Sequence, residues 1–370
     1  MREGKWDILR GNAPFKDERR GINLGGAFNN HNTDKLGITL NLKTQKGKDL
    51  LTKLVKISDA VTENFAAGVL EKLGFGYESL KQIKSDIVYV SNCGFGHVGP
   101  YAKFKTWGPI VQAVSGLTHT SGLPSQPPAG WGYSYMDHTG GYYMAMAILA
   151  ALFHRQNTGE GQWVDMACSE VAASLNGPAL LDWSVNGRSS GNEEPINSNR
   201  SQFVRMAPHG IFPTSIEDQW IAIACRDDND WLALASLIDQ RWTEQFAYLQ
   251  DRITSQDALE LNISNWTVNF EKFDLQNKIR NVNVPVSAVQ EPKDRIETDA
   301  STGAFKLWPT VAHSEIGEVR VDGNPVHFSE SDWKMVKGSP CLGEHNDQVF
   351  NKLLGLSKEE ILKLKEEQVI

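Results

Sequence analysis

The sequence predicts an α/β protein in which a large domain built on a doubly wound parallel sheet is joined to a smaller α+β domain. Three observations carry this. Short β-branched runs alternate with stretches of helical apolar spacing from Gly37 to about Val185, the order expected when parallel strands are linked by crossover helices. Beyond residue 202 the pattern changes to short apolar runs parted by turns. The length, 370 residues, exceeds what one hydrophobic core usually organises.

Residues 1–36 are polar, rich in Gly, Asn and Arg, and without a period. Residues 38–42 read as a strand, and 46–57 as a helix with Leu50, Leu51, Leu54 and Val55 at helical spacing. A second strand covers 59–64 and a second helix 69–83. The third strand, 87–91, ends in the glycine-rich turn Gly94 to Pro100. Ligands of such sheets lie beyond the C-terminal strand ends, so Asn64 and the 92–100 turn are where one belongs. Residues 121–132 are loop by their Gly, Pro and Ser content. Asp137 stands just before a long helix, about 139–155, whose apolar set (Met144, Ala147, Ile148, Ala151, Leu152) suits burial on most sides. A strand over 162–167 and a helix over 169–185 close this part. The polar stretch 186–202 marks a boundary, giving a large domain over 1–195 and a small one over 196–329 with strands near 210–212, 220–224 and 284–286. Residues 357–368 form a charged amphipathic helix with Ser357 as its cap.

Composition narrows the function classes. A formal charge of -8 and a pI near 5.6 argue against a sustained positive field for nucleic acid or anionic membrane. The four cysteines, Cys93, Cys168, Cys225 and Cys341, lie far apart and read as free thiols of a reducing compartment. The start of the chain has no apolar signal-like region, and the longest apolar stretch, 140–153, is too short to span a bilayer. The expected location is the cytoplasm, with no membrane and no nucleic-acid partner.

Several segments, taken in order, resemble the CoA-transferases of family III, the CaiB/BaiF group. They are Asp59-Ala60-Val61-Thr62-Glu63-Asn64-Phe65, then Gly94-Phe95-Gly96 to Gly99-Pro100, then Asp137 before a helix ending in Ala150-Ala151-Leu152-Phe153-His154-Arg155. Thr158-Gly159-Glu160-Gly161-Gln162 follows, and near the C-terminus Pro340-Cys341-Leu342-Gly343-Glu344-His345 with Leu353-Leu354-Gly355-Leu356. The resemblance covers the chain from about Asn32 onward. It implies a Rossmann-like large domain completed by residues 330–370, a small α+β domain, and an interlocked homodimer. It also implies coenzyme A or acyl-CoA as substrate, a carboxylic acid as its partner, and no permanently bound cofactor. Family members carry a further strand and helix ahead of the stretch matching residues 1–36, which this sequence lacks. They include formyl-CoA transferases with a polyglycine loop over the nucleophile, where this chain reads Asn197-Ser198-Asn199-Arg200-Ser201-Gln202.

The resemblance implies that Asp137 is the nucleophile, holding an acyl anhydride and then a CoA thioester. A carboxylate suits this because it divides one hard exchange into smaller steps. Taken by itself, an Asp before a helix is more often an N-cap. The turn His138-Thr139-Gly140-Gly141 is expected to offer backbone N–H groups to the oxyanion. Asn64, Phe65, Ala66, Lys72 and Lys105 match the family's CoA contacts, although a surface lysine is as often merely solvated. Tyr135, His138 and Gly140 are expected at the substrate pocket, with Trp131 and Tyr133 as further aromatic walls. The nine histidines show no ligand spacing, so no metal site is expected.

Two rival readings remain. Acyl-CoA racemases share the resemblance but pair the aspartate with a histidine about thirty residues upstream, where this chain reads Lys105-Thr106-Trp107-Gly108-Pro109. A tryptophan cannot accept a proton from carbon. The other rival is a catalytically impaired CoA-binding subunit, against which Asp137 itself argues.

Overall fold

A computed structural model describes residues 6–123, 126–132, 134–188, 199–201 and 204–370. The chain divides into two compact units, one of Met1–Ser115, Tyr133–Leu175 and Thr298–Ile370, the other of Gly116–Gly132 and Asn176–Glu297. The first unit draws on both chain ends. The limits between the units fall at 115/116, 132/133, 175/176 and 297/298, where composition suggests 195/196 and the resemblance 329/330. Most of the polar stretch read as the boundary, 189–198 and 202, lies outside the described residues.

The first unit is built on a three-stranded parallel sheet of β1 (Ala60–Glu63), β2 (Val88–Cys93) and β3 (Trp163–Ala167), with β2 in the centre. Ile87 to Val90 are wholly buried, as expected for a central parallel strand covered on both faces. One face packs Ile87 and Tyr89 on Val55, Leu70, Phe75 and Leu80. The other packs Val88 and Val90 on Ala151, with Met144, Ala147, Ile148 and Leu152 beside it.

Helices α1 (Gly26–His31), α2 (Gln45–Ile57), α3 (Val69–Lys72), α4 (Tyr77–Ile83), α5 (Gly108–Val114), α6 (Tyr135–Thr158) and α7 (Cys168–Leu175) complete most of this unit. Four expectations are corrected. Residues 38–42 are not a strand: the Thr39 amide donates to Asn346 Oδ1 at 2.9 Å and the Asn41 amide to the Val369 carbonyl at 2.8 Å. The helix expected over 69–83 is two, parted at Gly74, whose φ of +94° leaves the right-handed helical region. The helix expected over 169–185 is also two, because Gly177-Pro178 opens a new helix and proline cannot continue an old one. Finally, α6 starts at Tyr135, so Asp137 lies inside its first turn and Ser134 takes the capping position.

The second unit comprises α8 (Gly177–Asn186), the antiparallel sheet β4 (His209–Pro213), β5 (Trp220–Ala224) and β6 (Val286–Ala288), and helices α9 (Asp228–Ile238), α10 (Leu249–Thr254), α11 (Gln256–Thr267) and α12 (Lys272–Arg280). Its core gathers Ile221, Trp231, Phe246, Leu259, Ile263 and Leu275. The fully buried guanidinium of Arg252 satisfies the carbonyls of Ala207, Phe246 and Ala247 at 2.6–3.1 Å and the Asp228 carboxylate at 2.7 Å. A buried charge is tolerable only with such a complete set of partners.

The chain then returns to the first unit with α13 (Ala300–Ala304), the hairpin β7 (Thr310–His313) and β8 (Gly317–Arg320), and α14 (Lys358–Glu366). Ser357 and Glu360 cap α14 reciprocally, as the sequence pattern predicts. Phe350, Ile361 and Leu364 pack on Leu50 of α2, tying the C-terminal segment to the N-terminal one. No helix among the described residues is long and apolar enough to cross a membrane.

Candidate active site

Asp137 occupies the third position of α6, and its backbone N–H donates to the Ser134 carbonyl at 2.9 Å. A negative side chain is favoured there by the partial positive charge of the helix start. Its residue is exposed, and among the described residues no hydrogen bond or ion pair reaches the carboxylate. Both carboxylate oxygens face the α-carbon of Gly108, the first residue of α5, where a β-carbon would stand 3.2 Å from each. The capping role that commonly explains an Asp near a helix start therefore does not apply. Asp137 is a bare carboxylate beside a residue without a side chain.

Beneath α6, Gly140 is buried where a β-carbon would lie 2.9 Å from Cys168 Sγ and 3.3 Å from Asn92 Nδ2. Glycine thus lets the helix close on the ends of β2 and the start of α7, which is a packing role. The Cys168 thiol donates to the Met136 carbonyl at 3.4 Å. Burial first, and then the neighbouring Asp137 charge, push that thiol up to about 11. Asn92 Oδ1 is buried without a hydrogen-bond partner among the described residues.

The expected oxyanion donors are not available at residues 138–141. These lie inside α6, with the His138 N–H already donating to the Ser134 carbonyl at 3.2 Å. His138 is half-buried, and its ring meets that of His31, from α1, edge to face at 4.9 Å. Burial first, and then His138, hold the His31 imidazole below its ordinary range. Tyr135 is half-buried and accepts from the Thr139 hydroxyl through its carbonyl at 2.8 Å. Trp131 is an exposed residue of the second unit, and Tyr133 lies outside the described residues. Gly108, Asn92, Cys168 and His31 are the neighbours that sequence reasoning misses. Only the glycine of Trp107-Gly108-Pro109 leaves a trace in the sequence.

Asn64, Phe65 and Ala66 form the exposed loop leaving the C-terminal end of β1. Glu63 fixes its root, accepting from the Phe65 N–H at 2.5 Å and from the Tyr89 hydroxyl at 3.0 Å. Lys72 is exposed at the end of α3, and Lys105 is exposed in the segment after the 94–100 turn. Beside Lys105, the rings of Phe95, Tyr101 and Phe104 cluster at centroid distances of 5.5–6.4 Å. Asn64–Ala66 and Lys105 occupy loops that follow β1 and β2, and Lys72 ends α3; among the described residues no hydrogen bond or ion pair joins the two lysines to Asn64–Ala66.

The turn after β2 also brings together Cys93, His97 and Asp165, whose donor atoms all lie within 4.8 Å of one another. Their spacing in the chain gives no sign of this.

An α/β unit with a parallel sheet and a bare carboxylate near its strand ends places the chain among the CaiB/BaiF folds. A solved CaiB/BaiF family protein from Brucella suis superposes with a TM-score of 0.83 at 28% identity, covering 94% of this chain and 89% of that one. The family model of CoA-transferase family III matches residues 2–346, and the chain belongs to that family of transferases. It is 33% identical over 389 residues to a formyl-CoA:oxalate CoA-transferase of Streptomyces avermitilis, covering 98% of this chain and 92% of the relative. It is 29% identical over 340 residues to a succinyl-CoA–D-citramalate CoA-transferase of Chloroflexus aurantiacus, covering 91% and 83%.

Proposed function

We propose that this transferase moves CoA from an acyl-CoA to a free carboxylic acid through covalent intermediates on Asp137. A carboxylate oxygen of Asp137 attacks the thioester carbon, forming a mixed anhydride and expelling CoA as thiolate. The thiolate attacks the aspartyl carbonyl, giving an aspartyl-CoA thioester and releasing the donor acid as carboxylate. The acceptor carboxylate then attacks that thioester, forming a second anhydride and freeing the thiolate again. Attack of the thiolate on the acceptor acyl carbon yields the new acyl-CoA and restores Asp137. Every step conserves charge and needs no oxidant, metal or added base.

The observation that supports this most is the exposed Asp137 carboxylate, unpaired among the described residues and lying across Gly108. A structural aspartate is ordinarily engaged by a cap, a cation or an amide. Relatives whose names pair oxalate, citramalate or glutarate with CoA transfer support a carboxylic acid as acceptor. Lys72 and Lys105 are the residues we assign to the CoA phosphates, and Asn64, Phe65 and Ala66 to the body of the cofactor, because all five are exposed on the segments that follow the parallel strands β1 and β2. CoA enters and leaves as substrate, and the reaction belongs to the cytoplasm.

The same reading makes the working form a homodimer. On α6, Tyr142, Met146, Leu149 and Phe153 are each more than half exposed, on a helix apolar on the opposite side as well. Such a face is ordinarily covered by a partner. A panel of acyl-CoAs and acids, with new thioesters detected by mass, tests the function. Exchange that disappears in Asp137→Ala is the expected result, and undiminished exchange in that variant would refute it.

A further inference from the structure

Cys93, His97 and Asp165 form a cluster outside the machinery assigned to Asp137. The His97 ring is 10% exposed and packs edge-on against Trp163 at 5.2 Å. Its Nδ1 lies 2.8 Å from Asp165 Oδ1 and 3.7 Å from Cys93 Sγ. The remaining oxygen, Asp165 Oδ2, accepts from the His97 backbone N–H at 2.9 Å, which holds the carboxylate in place. On the far side of the ring, Nε2 is buried with no hydrogen-bond partner among the described residues, and Glu71 Oε1 is 3.7 Å away.

This is not a proton relay from thiol to imidazole to carboxylate. A relay needs the thiol and the carboxylate on opposite ring nitrogens. In this cluster both meet Nδ1. Three donors of different kinds converging on one point is instead the arrangement of a metal site. A tetrahedral ion with bonds of about 2.0–2.3 Å holds its O, N and S ligands roughly 3.4–3.6 Å apart. The Cys93–His97 separation of 3.7 Å is just above that range, and the Cys93–Asp165 pair lies within 4.8 Å. The His97–Asp165 contact needs to open by about 0.6 Å, the change expected when an ion replaces a shared proton.

We propose that Cys93 Sγ, His97 Nδ1 and Asp165 Oδ1 bind a zinc-class divalent cation. Thiolate with imidazole selects such an ion over magnesium or calcium. The surroundings are those of a ligand set. Burial first, and then the Asp165 charge, push the free Cys93 thiol up to about 11. Gly96 adopts a φ of +70° that turns the chain around the cluster. Glu71 is placed to accept from Nε2–H once Nδ1 is taken, the outer carboxylate that orients many metal-bound histidines. Binding therefore expels the Cys93 proton and moves the ring proton from Nδ1 to Nε2. The bound ion would lock the Gly94 to Pro100 turn onto β3. This inference stands apart from the assignment of Asp137.

The test is cobalt(II) titration of the purified, reduced full-length chain. One equivalent is expected, with a thiolate-to-cobalt charge-transfer band displaced by zinc, and release of about one proton at neutral pH. Cys93→Ser should abolish the band, and Glu71→Gln should weaken affinity about 10–100-fold without removing it. Circular dichroism of each variant identifies a folded sample. A folded wild-type chain that shows no band, or a band that persists in folded Cys93→Ser through another thiol, would overturn the assignment.

Discussion

Asp137 and Gly108 face each other so closely that a β-carbon at position 108 would stand 3.2 Å from both carboxylate oxygens. A contact of that length is crowded, and only the absent side chain leaves the carboxylate its place. The start of α5 thus shapes the ground on which the first turn of α6 holds the aspartate.

Gly108→Ala is accordingly expected to slow CoA exchange while leaving the protein folded. The position has ordinary negative φ, so alanine is tolerated by the backbone. Misplacing a nucleophile by about 1 Å can cost about 100-fold in rate, and a smaller displacement correspondingly less. Parallel measurement of kcat and of the thermal midpoint separates the two effects: the rate should fall while the midpoint holds.

The uncovered apolar side of α6 carries the second expectation. Leu149→Asp with Phe153→Asp should leave the protein monomeric at micromolar concentration, while the unaltered chain elutes as a dimer. Light scattering on a sizing column reads this directly. A dimer that survives both substitutions is held by some other surface.

The Cys168 thiol reports on the charge of Asp137. Burial and that charge together push it up to about 11. Asp137→Asn removes the larger of the charge contributions, so the pH at which Cys168 alkylates should move down. Site-resolved mass spectrometry of alkylation across alkaline pH measures the shift, and an unchanged profile would mean that position 137 carries no charge near the sulfur.

Much of this frame is legible in the sequence. Strands β1 and β2 follow from their β-branched runs, β3 from the Gly159-Glu160-Gly161 turn ahead of it, and the Ser357–Glu360 cap from its spacing. Residues 38–42 mislead because Ile38, Leu40 and Leu42 alternate as a strand does, while the amides of Thr39 and Asn41 find partners some 300 residues away, at Asn346 and Val369. At Gly74 and Pro178 a local breaker overrides an apolar period that continues past it. Asp137 is recognisable by its setting, but Cys168 and Asn92 beside it are not, and Gly108 shows only as a glycine between Trp107 and Pro109, because only the packing of α5, α7 and β2 against α6 assembles them. The Cys93–His97–Asp165 cluster depends on the register that sets Ser91 opposite Asp165. No spacing rule encodes that register.

Acid should weaken the second unit in a defined window. Arg226 holds the Asp230 carboxyl, and Lys272 the Asp294 carboxyl, below the ordinary aspartate value of 3.8. The unfolded chain therefore takes up these protons first as pH falls. The stabilisation is complete above the ordinary value and is lost as pH drops through the lower folded values. Urea midpoints measured between about pH 2 and pH 5 should show a shallower acid loss in Asp230→Asn and Asp294→Asn than in the parent. Equal slopes would remove these pairs from the account.

The most direct test of the central claim is to catch the covalent intermediate. The protein is mixed with acyl-CoA, quenched in acid, digested, and its peptides weighed. A CoA-sized adduct is expected on the peptide bearing Asp137, discharged by hydroxylamine and absent from a folded Asp137→Ala chain. An adduct on another residue, or acid-dependent exchange without any adduct at Asp137, would contradict it.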